Sequence, residues 1–177
     1  MIWVNILASI VLFFSFIGGL KEGAVKSFFS LIALIIAIPL TGVSYHLLAN
    51  VLSFLPGEDW QNFIGFFVTL ALISIVLYFV LLLPRKLTQK VWNKGVLFRI
   101  IGSILNILNT GIGLVVFTLL IRAYPIIGWL EQAVTDSSVL SWLVVHLSFV
   151  QSLLPEIFQN AAIMVVAETV LNVVDKI

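Results

Sequence analysis

The strongest constraint on this chain is the length of its uncharged apolar runs. Residues 2–20, 24–45, 62–83 and 96–121 hold no Asp or Glu, and their only basic residues are Lys26 and Arg99, each close to the start of its run. A helix rises about 1.5 Å per residue, so crossing a hydrocarbon layer about 30 Å thick takes about 20 residues, which each run supplies. Inside that layer every backbone N–H and C=O must be satisfied within the segment, which makes such runs helices. Composition agrees: 62% of residues are hydrophobic and 10% charged, the mean hydropathy is +1.22, and soluble domains carry about a quarter charged residues. The predicted fold class is all-α: a polytopic membrane protein with four transmembrane helices in two hairpins, plus C-terminal amphipathic or interfacial helices. Residues 1–125 read as a four-helix transmembrane domain and 126–177 as a C-terminal amphipathic helical region.

The first run lacks a basic leader and a convincing small-residue cleavage site, so it reads as an uncleaved anchor rather than a signal peptide. Gly18, Gly19, Lys21, Glu22, Gly23 and Lys26 then form a short turn. On the second run Ser30, Ala33, Ala37, Thr41 and Ser44 recur at helical spacing, giving a small-residue face that lets a neighbouring backbone approach. Pro39 is expected to kink this helix rather than break it, because membrane helices re-satisfy the freed carbonyl locally. Residues 47–61 read as a polar connection. The third run is the most uniformly apolar and is expected to be the most lipid-exposed; a basic loop over 85–99 follows it. Beyond Pro125 the apolar stretches shorten to 139–150 and 161–174, lengths typical of interfacial, re-entrant or buried helices. Glu168, Asn172 and Asp175 form one polar stripe there, and its acidity favours a protein contact over anionic lipid.

Charge distribution predicts orientation. Seven of the nine Lys and Arg residues (Lys21, Lys26, Arg85, Lys86, Lys90, Lys94 and Arg99) flank the first and third connections, whereas the second carries only Glu58 and Asp59. Positively charged short loops stay in the cytoplasm. Loops 21–26 and 85–99 are therefore expected inside and both termini outside, with Trp3, Tyr45, Trp60, Tyr124 and Trp129 at the outer headgroup level. Beyond setting topology, the basic residues offer a surface for anionic headgroups or a protein partner, each contributing about 1 kcal/mol near an anionic surface.

The fourth run carries a polar seam. Gly102, Asn106, Asn109 and Gly113, spaced 4, 3 and 4 apart, fall on one helical face, with Ser103 and Thr110 beside it. Two readings follow. The seam packs helices, its amides bonding between them, or it lines a hydrophilic pathway together with the Ser30 to Ser44 face. The absence of a mid-membrane carboxylate favours packing. Nucleic-acid binding has no supporting fold or aromatic pattern. His46 and His146 have no metal-ligand neighbours in sequence and the chain has no cysteine, so no metal or cofactor is expected. Asp136, Ser137, Ser138 and His146 supply hydrolase residue types without a nucleophile elbow, and no catalytic role is assigned. The expected partners are the lipid bilayer and either another protein or a second copy of the chain.

Asn5, Gly18, Lys21-Glu22-Gly23, Lys26-Ser27 and Arg99-Ile100-Ile101-Gly102, in that order along about residues 1 to 145, resemble the colicin V production protein family of bacterial inner-membrane proteins. The resemblance implies a role in toxin production or export, or more broadly in envelope homeostasis, as a non-enzymatic membrane factor; a small oligomeric channel or transporter lined by the polar seam is the alternative. The chain departs from the family pattern at Asn5 and Phe98, where Asp is common, and near Asn106, Asn109 and Thr110, where glycine or basic residues are common.

Overall fold

The computed structural model describes residues 2–92 and 95–174, with residues 87, 89–92, 157 and 168–174 described by their backbone alone. Lys94 and Asp175, and the side chains of Lys90, Glu168 and Asn172, lie outside the described residues. The described chain is all helical: α1 (Ile2–Val51), α2 (Glu58–Val80), α3 (Leu82–Trp92), α4 (Val96–Ala123), α5 (Gly128–Thr135), α6 (Ser138–His146), a 3-10 turn (Ser148–Leu153) and α7 (Glu156–Val174). Three of these, α1, α2 and α4, are long and apolar enough to cross a membrane.

A straight helix of 50 residues would run about 75 Å, more than twice the hydrocarbon thickness. Helix α1 does not run straight. Gly23 stands at φ 76, ψ 167, outside helical geometry, a conformation that glycine adopts without the Cβ clash other residues suffer. The two halves of α1 then run in opposite senses along α4. In the N-terminal half Ser15 bonds to Asn106 and Trp3 packs on Trp129, beyond the C-terminal end of α4. In the C-terminal half Ala24 lies beside Gly102 and Tyr45 meets Tyr124. Helix α2 returns along the C-terminal half of α1, with Gly65 against Ala49 and Phe66 on the Tyr45 ring.

Helix α4 is the axis of the bundle. Its most apolar stretch is 44% buried, against 17% for α2, and Ile112, Val115, Leu119 and Ile121 are fully enclosed. Helix α2 buries only Gly65, Phe66 and Thr69, so the third apolar run faces outward as expected.

The structure differs from the sequence reading at all three connections: the turn expected over Gly18 to Lys26 narrows to Gly23, with helix on both sides of it. Helix α1 continues past Pro39 to Val51, keeping helical geometry everywhere except Gly23, so the connection before α2 narrows to residues 52–57. Nothing in 46–51 breaks a helix; Pro56-Gly57 does. The basic stretch expected as a loop is helical over Leu82–Trp92, because Pro84 falls in the first turn, where its missing N–H has no intrahelical partner to lose.

The C-terminal helices pack against one end of the bundle. Phe158 is fully buried between Phe66 and Tyr124, and Ala161, Ala162 and Val165 are buried behind it. Ser137 caps α6 by accepting from the Leu140 N–H at 3.3 Å and donates to Asn5 Oδ1 at 2.6 Å. That Asn5 oxygen also accepts from the Val139 N–H at 3.2 Å, so the first polar residue of the chain anchors the start of α6.

Candidate functional site

The Gly23 turn meets the first part of α4 at one end of the bundle, backbone against backbone. A Cβ on Gly102 would lie 2.5 Å from the carbonyl carbon of Gly23 and 2.7 Å from the Gly19 oxygen; one on Gly19 would lie 2.5 Å from Ser103 Cα. Only glycine permits that approach, the same physics that places small residues at membrane helix crossings.

One turn further along α4 the contact becomes polar. Asn106 Nδ2 donates to the Ser15 carbonyl at 2.7 Å, and Ser15 Oγ donates to the Asn106 carbonyl at 2.8 Å. Thr110 Oγ1 donates to Ser15 Oγ at 2.7 Å. Ser15 is thus the counterpart of the seam, and sequence inspection had no way to single it out from Asn5 and Ser9 on the same run.

The four seam positions do not share one environment. Gly102 meets the Gly23 corner, with Gly19 before it and Ala24 after it, and Asn106 is engaged by the N-terminal half of α1. Asn109 turns toward the C-terminal half, where it lines a cavity of ≈ 220 Å³ with Ser30, Ala33, Ser74, Tyr78 and Arg85. Its Oδ1 is buried without a hydrogen-bond partner. Gly113 is exposed, and a Cβ there would meet nothing within 4 Å. Of the small-residue face on the second run, Ser30 and Ala33 reach this cavity; Ala37 and Thr41 are buried deeper in the packing.

Charge is segregated along the bundle. Thr88 of α3, Phe98 and Ile101 of α4, and Ala24 and Val25 after the Gly23 turn wall one common cavity, so Lys21, Lys26, Arg85, Lys86 and Arg99 gather at that end. Lys26 pairs with Glu22 one turn before it, whereas the Arg85 guanidinium sits 5.5 Å from the centre of the Tyr78 ring. The far end carries Trp3 with Trp129 and the Tyr45–Tyr124 hydroxyl pair at 3.0 Å. Burial, then the Tyr45 hydrogen bond, makes Tyr124 harder to ionise than an ordinary tyrosine, with Asp59 adding to the shift. Ser137 is occupied as a helix cap, and His146 bonds the Trp142 carbonyl at 2.9 Å and stacks on its indole.

Long apolar helices, lipid-like outer faces such as Phe13, Phe14, Ile75 and Phe79, and polar groups turned inward define a polytopic helical membrane protein. Comparison by sequence makes the assignment more specific: the chain belongs to the colicin V production protein family, whose match extends over residues 4–148. No curated protein and no solved structure matches the chain.

Proposed function

We propose that the chain is a four-span inner-membrane protein, folded as two helical hairpins, that assists toxin production or export and envelope homeostasis as a non-enzymatic assembly factor. Gly23 divides α1 into two segments that are each long enough to span, and with α2 and α4 they make four. The clustering of Lys21, Lys26, Arg85, Lys86 and Arg99 at one end supports placing that end in the cytoplasm and both termini outside. A cytoplasm-active reporter fused after Lys94 is expected to work there; a reporter that functions only after export, active at the same site, would reverse the orientation.

The observation that carries the assembly role is the closure of the bundle. Past Asn109 the interior of the described residues is filled mainly by Ile38, Ile112, Val115, Val116 and Leu119, with Thr41 and Thr118 as isolated buried hydroxyls, a packed apolar layer rather than a continuous polar lining. The basic end remains as a surface for the bilayer and for a protein partner or second copy. Crosslinking through Lys86 in native membranes should recover one consistent partner.

A second reading, an oligomeric channel or transporter, is favoured by one feature, the Asn109 cavity. Solute flux through proteoliposomes that vanishes in Asn109→Leu but survives in Lys86→Gln would establish it and displace the assembly reading.

A further inference from the structure

Two cavities lie side by side beneath α3, with Phe29 in the wall of both. The first contains Arg85, Ser30, Ser74 and Asn109, a cation with three uncharged hydrogen-bonding groups and no carboxylate among its described residues. The second, ≈ 330 Å³, presents no polar surface and is walled by Ala24, Val25, Phe28, Ile101 and Leu105. Arg85 and Thr88, one turn apart on α3, belong to the first and the second respectively.

From this arrangement we infer that the α3 end is a binding site for one anionic phospholipid, its phosphate on Arg85 and an acyl chain in the adjoining apolar cavity. The position of Arg85 is the first reason. A guanidinium at the end of a bundle ordinarily reaches outward to water, yet this one is half-buried and turned back over Tyr78, while its neighbour Lys86 is exposed. No carboxylate among the described residues pairs with it, so its bidentate fork is left for a phosphate.

Depth is the second reason. Ser74 lies four residues before Tyr78 on α2, about 6 Å deeper, which is the distance at which the glycerol ester groups of a lipid follow its phosphate. The Ser30 and Ser74 hydroxyls and the Nδ2–H of Asn109 are the donors that would bond those ester oxygens. The third reason is the apolar cavity itself, which a soluble phosphate compound would leave unused. The inference draws on the proposed membrane disposition only in setting α3 at the headgroup level, on whichever side that level lies.

The test uses the full chain, purified in a neutral detergent and in phosphatidylcholine nanodiscs with and without phosphatidylglycerol. Native mass spectrometry is expected to retain one phosphatidylglycerol per chain in preference to phosphatidylcholine. Arg85→Gln should weaken that binding about tenfold or more, as loss of a charge-assisted bidentate contact does, and Lys86→Gln, which removes the same charge from an exposed position, should leave it within about twofold. Leu105→Trp, filling the apolar cavity, should weaken binding with the charge intact. Equal losses in the Arg85 and Lys86 variants would mean diffuse surface attraction and overturn the site. Displacement of the lipid by soluble glycerol phosphate at equal concentration would overturn the lipid and indicate a small-solute site. Reporter fusions measure orientation separately, so an inverted topology and a failed lipid site give different results.

Discussion

Asn106 and Asn109 sit three residues apart on the same helix and face different neighbours. Asn106 is closed against the N-terminal half of α1 by a two-way bond with Ser15, next to glycines that let the backbones touch. Asn109 faces the C-terminal half of α1 and α2 across a cavity, with its oxygen unpaired. One side of α4 is therefore built to be permanent, while the other keeps space and unsatisfied polarity, the combination expected where a ligand or a moving neighbour is accommodated. The contrast arises at Gly23: the fold-back lays two helices against one, and at this level the N-terminal half bonds α4 through Ser15 while the C-terminal half leaves a cavity at Asn109.

The sharpest way to break this contrast is to add bulk. Gly102→Leu would force the crossing apart, since even a Cβ there meets backbone at 2.5 Å; overpacking of this kind costs about 1–3 kcal/mol and more where backbone must move. A large fall in thermal midpoint in detergent is expected. Gly113→Leu, at the seam's open position, should change the midpoint little or raise it, because glycine is a poor helix former by up to about 1 kcal/mol. Equal losses in both variants would mean that the seam packs uniformly and that the two sides of α4 do not differ.

Next in size is Asn106→Leu. It removes the bond to the Ser15 carbonyl and should cost about 0.6–2 kcal/mol, the range for hydrogen bonds between membrane helices. Thermal unfolding in detergent measures it, and a cost within error of zero would show that the glycine contact alone secures the closed side.

Helical periodicity makes most of the architecture legible, because a hydrocarbon solvent leaves few alternatives for runs this long. The basic turn around Gly23, the outward-facing α2 and the aromatic far end of the bundle were all accessible from residue order. Two kinds of feature were not. Whether Leu82–Trp92 is loop or helix depends on a proline in a first turn, where its cost nearly vanishes, and charge runs look alike in either state. The split of the seam was also hidden: Asn106 and Asn109 differ by 60° around the helix by a 100° step, and only the placement of the two halves of α1 assigns them to different partners. Ser15 and Arg85 show the same limit, since a lone serine on an apolar run and one arginine among five basic residues gain meaning only from what lies across from them.

At the far end, Tyr124→Phe removes the hydroxyl bonded to Tyr45 and should cost about 1 kcal/mol. Its pH behaviour provides a second measurement. Burial raises the folded-state pKa of Tyr124 above the unfolded value of 10.0, so the folded state holds its proton longer. The contribution is complete below about pH 10 and is lost as pH rises through the folded value. Thermal midpoints taken above pH 10 should therefore fall more steeply in the native chain than in Tyr124→Phe; parallel slopes would place the alkaline sensitivity elsewhere.

The smallest effect, and the most discriminating, belongs to Asn109→Leu. By size the substitution matches Asn106→Leu, but it removes an amide that has no partner to lose. An unsatisfied buried polar group costs about 1–3 kcal/mol, of which the cavity beside Asn109 relieves part by admitting water, so the variant should be neutral or slightly more stable in detergent. Opposite signs at positions 106 and 109 would establish the two sides of α4 as chemically distinct. Loss of stability at both would mean that Asn109 has a bonding partner on the C-terminal half of α1 after all. Adding phosphatidylglycerol sharpens the comparison further: ligand binding stabilises a protein by an amount that grows with the logarithm of its affinity, so the lipid should stabilise the native chain more than Asn109→Leu, and the stability gained by removing the amide would be the measure of what that amide is kept for.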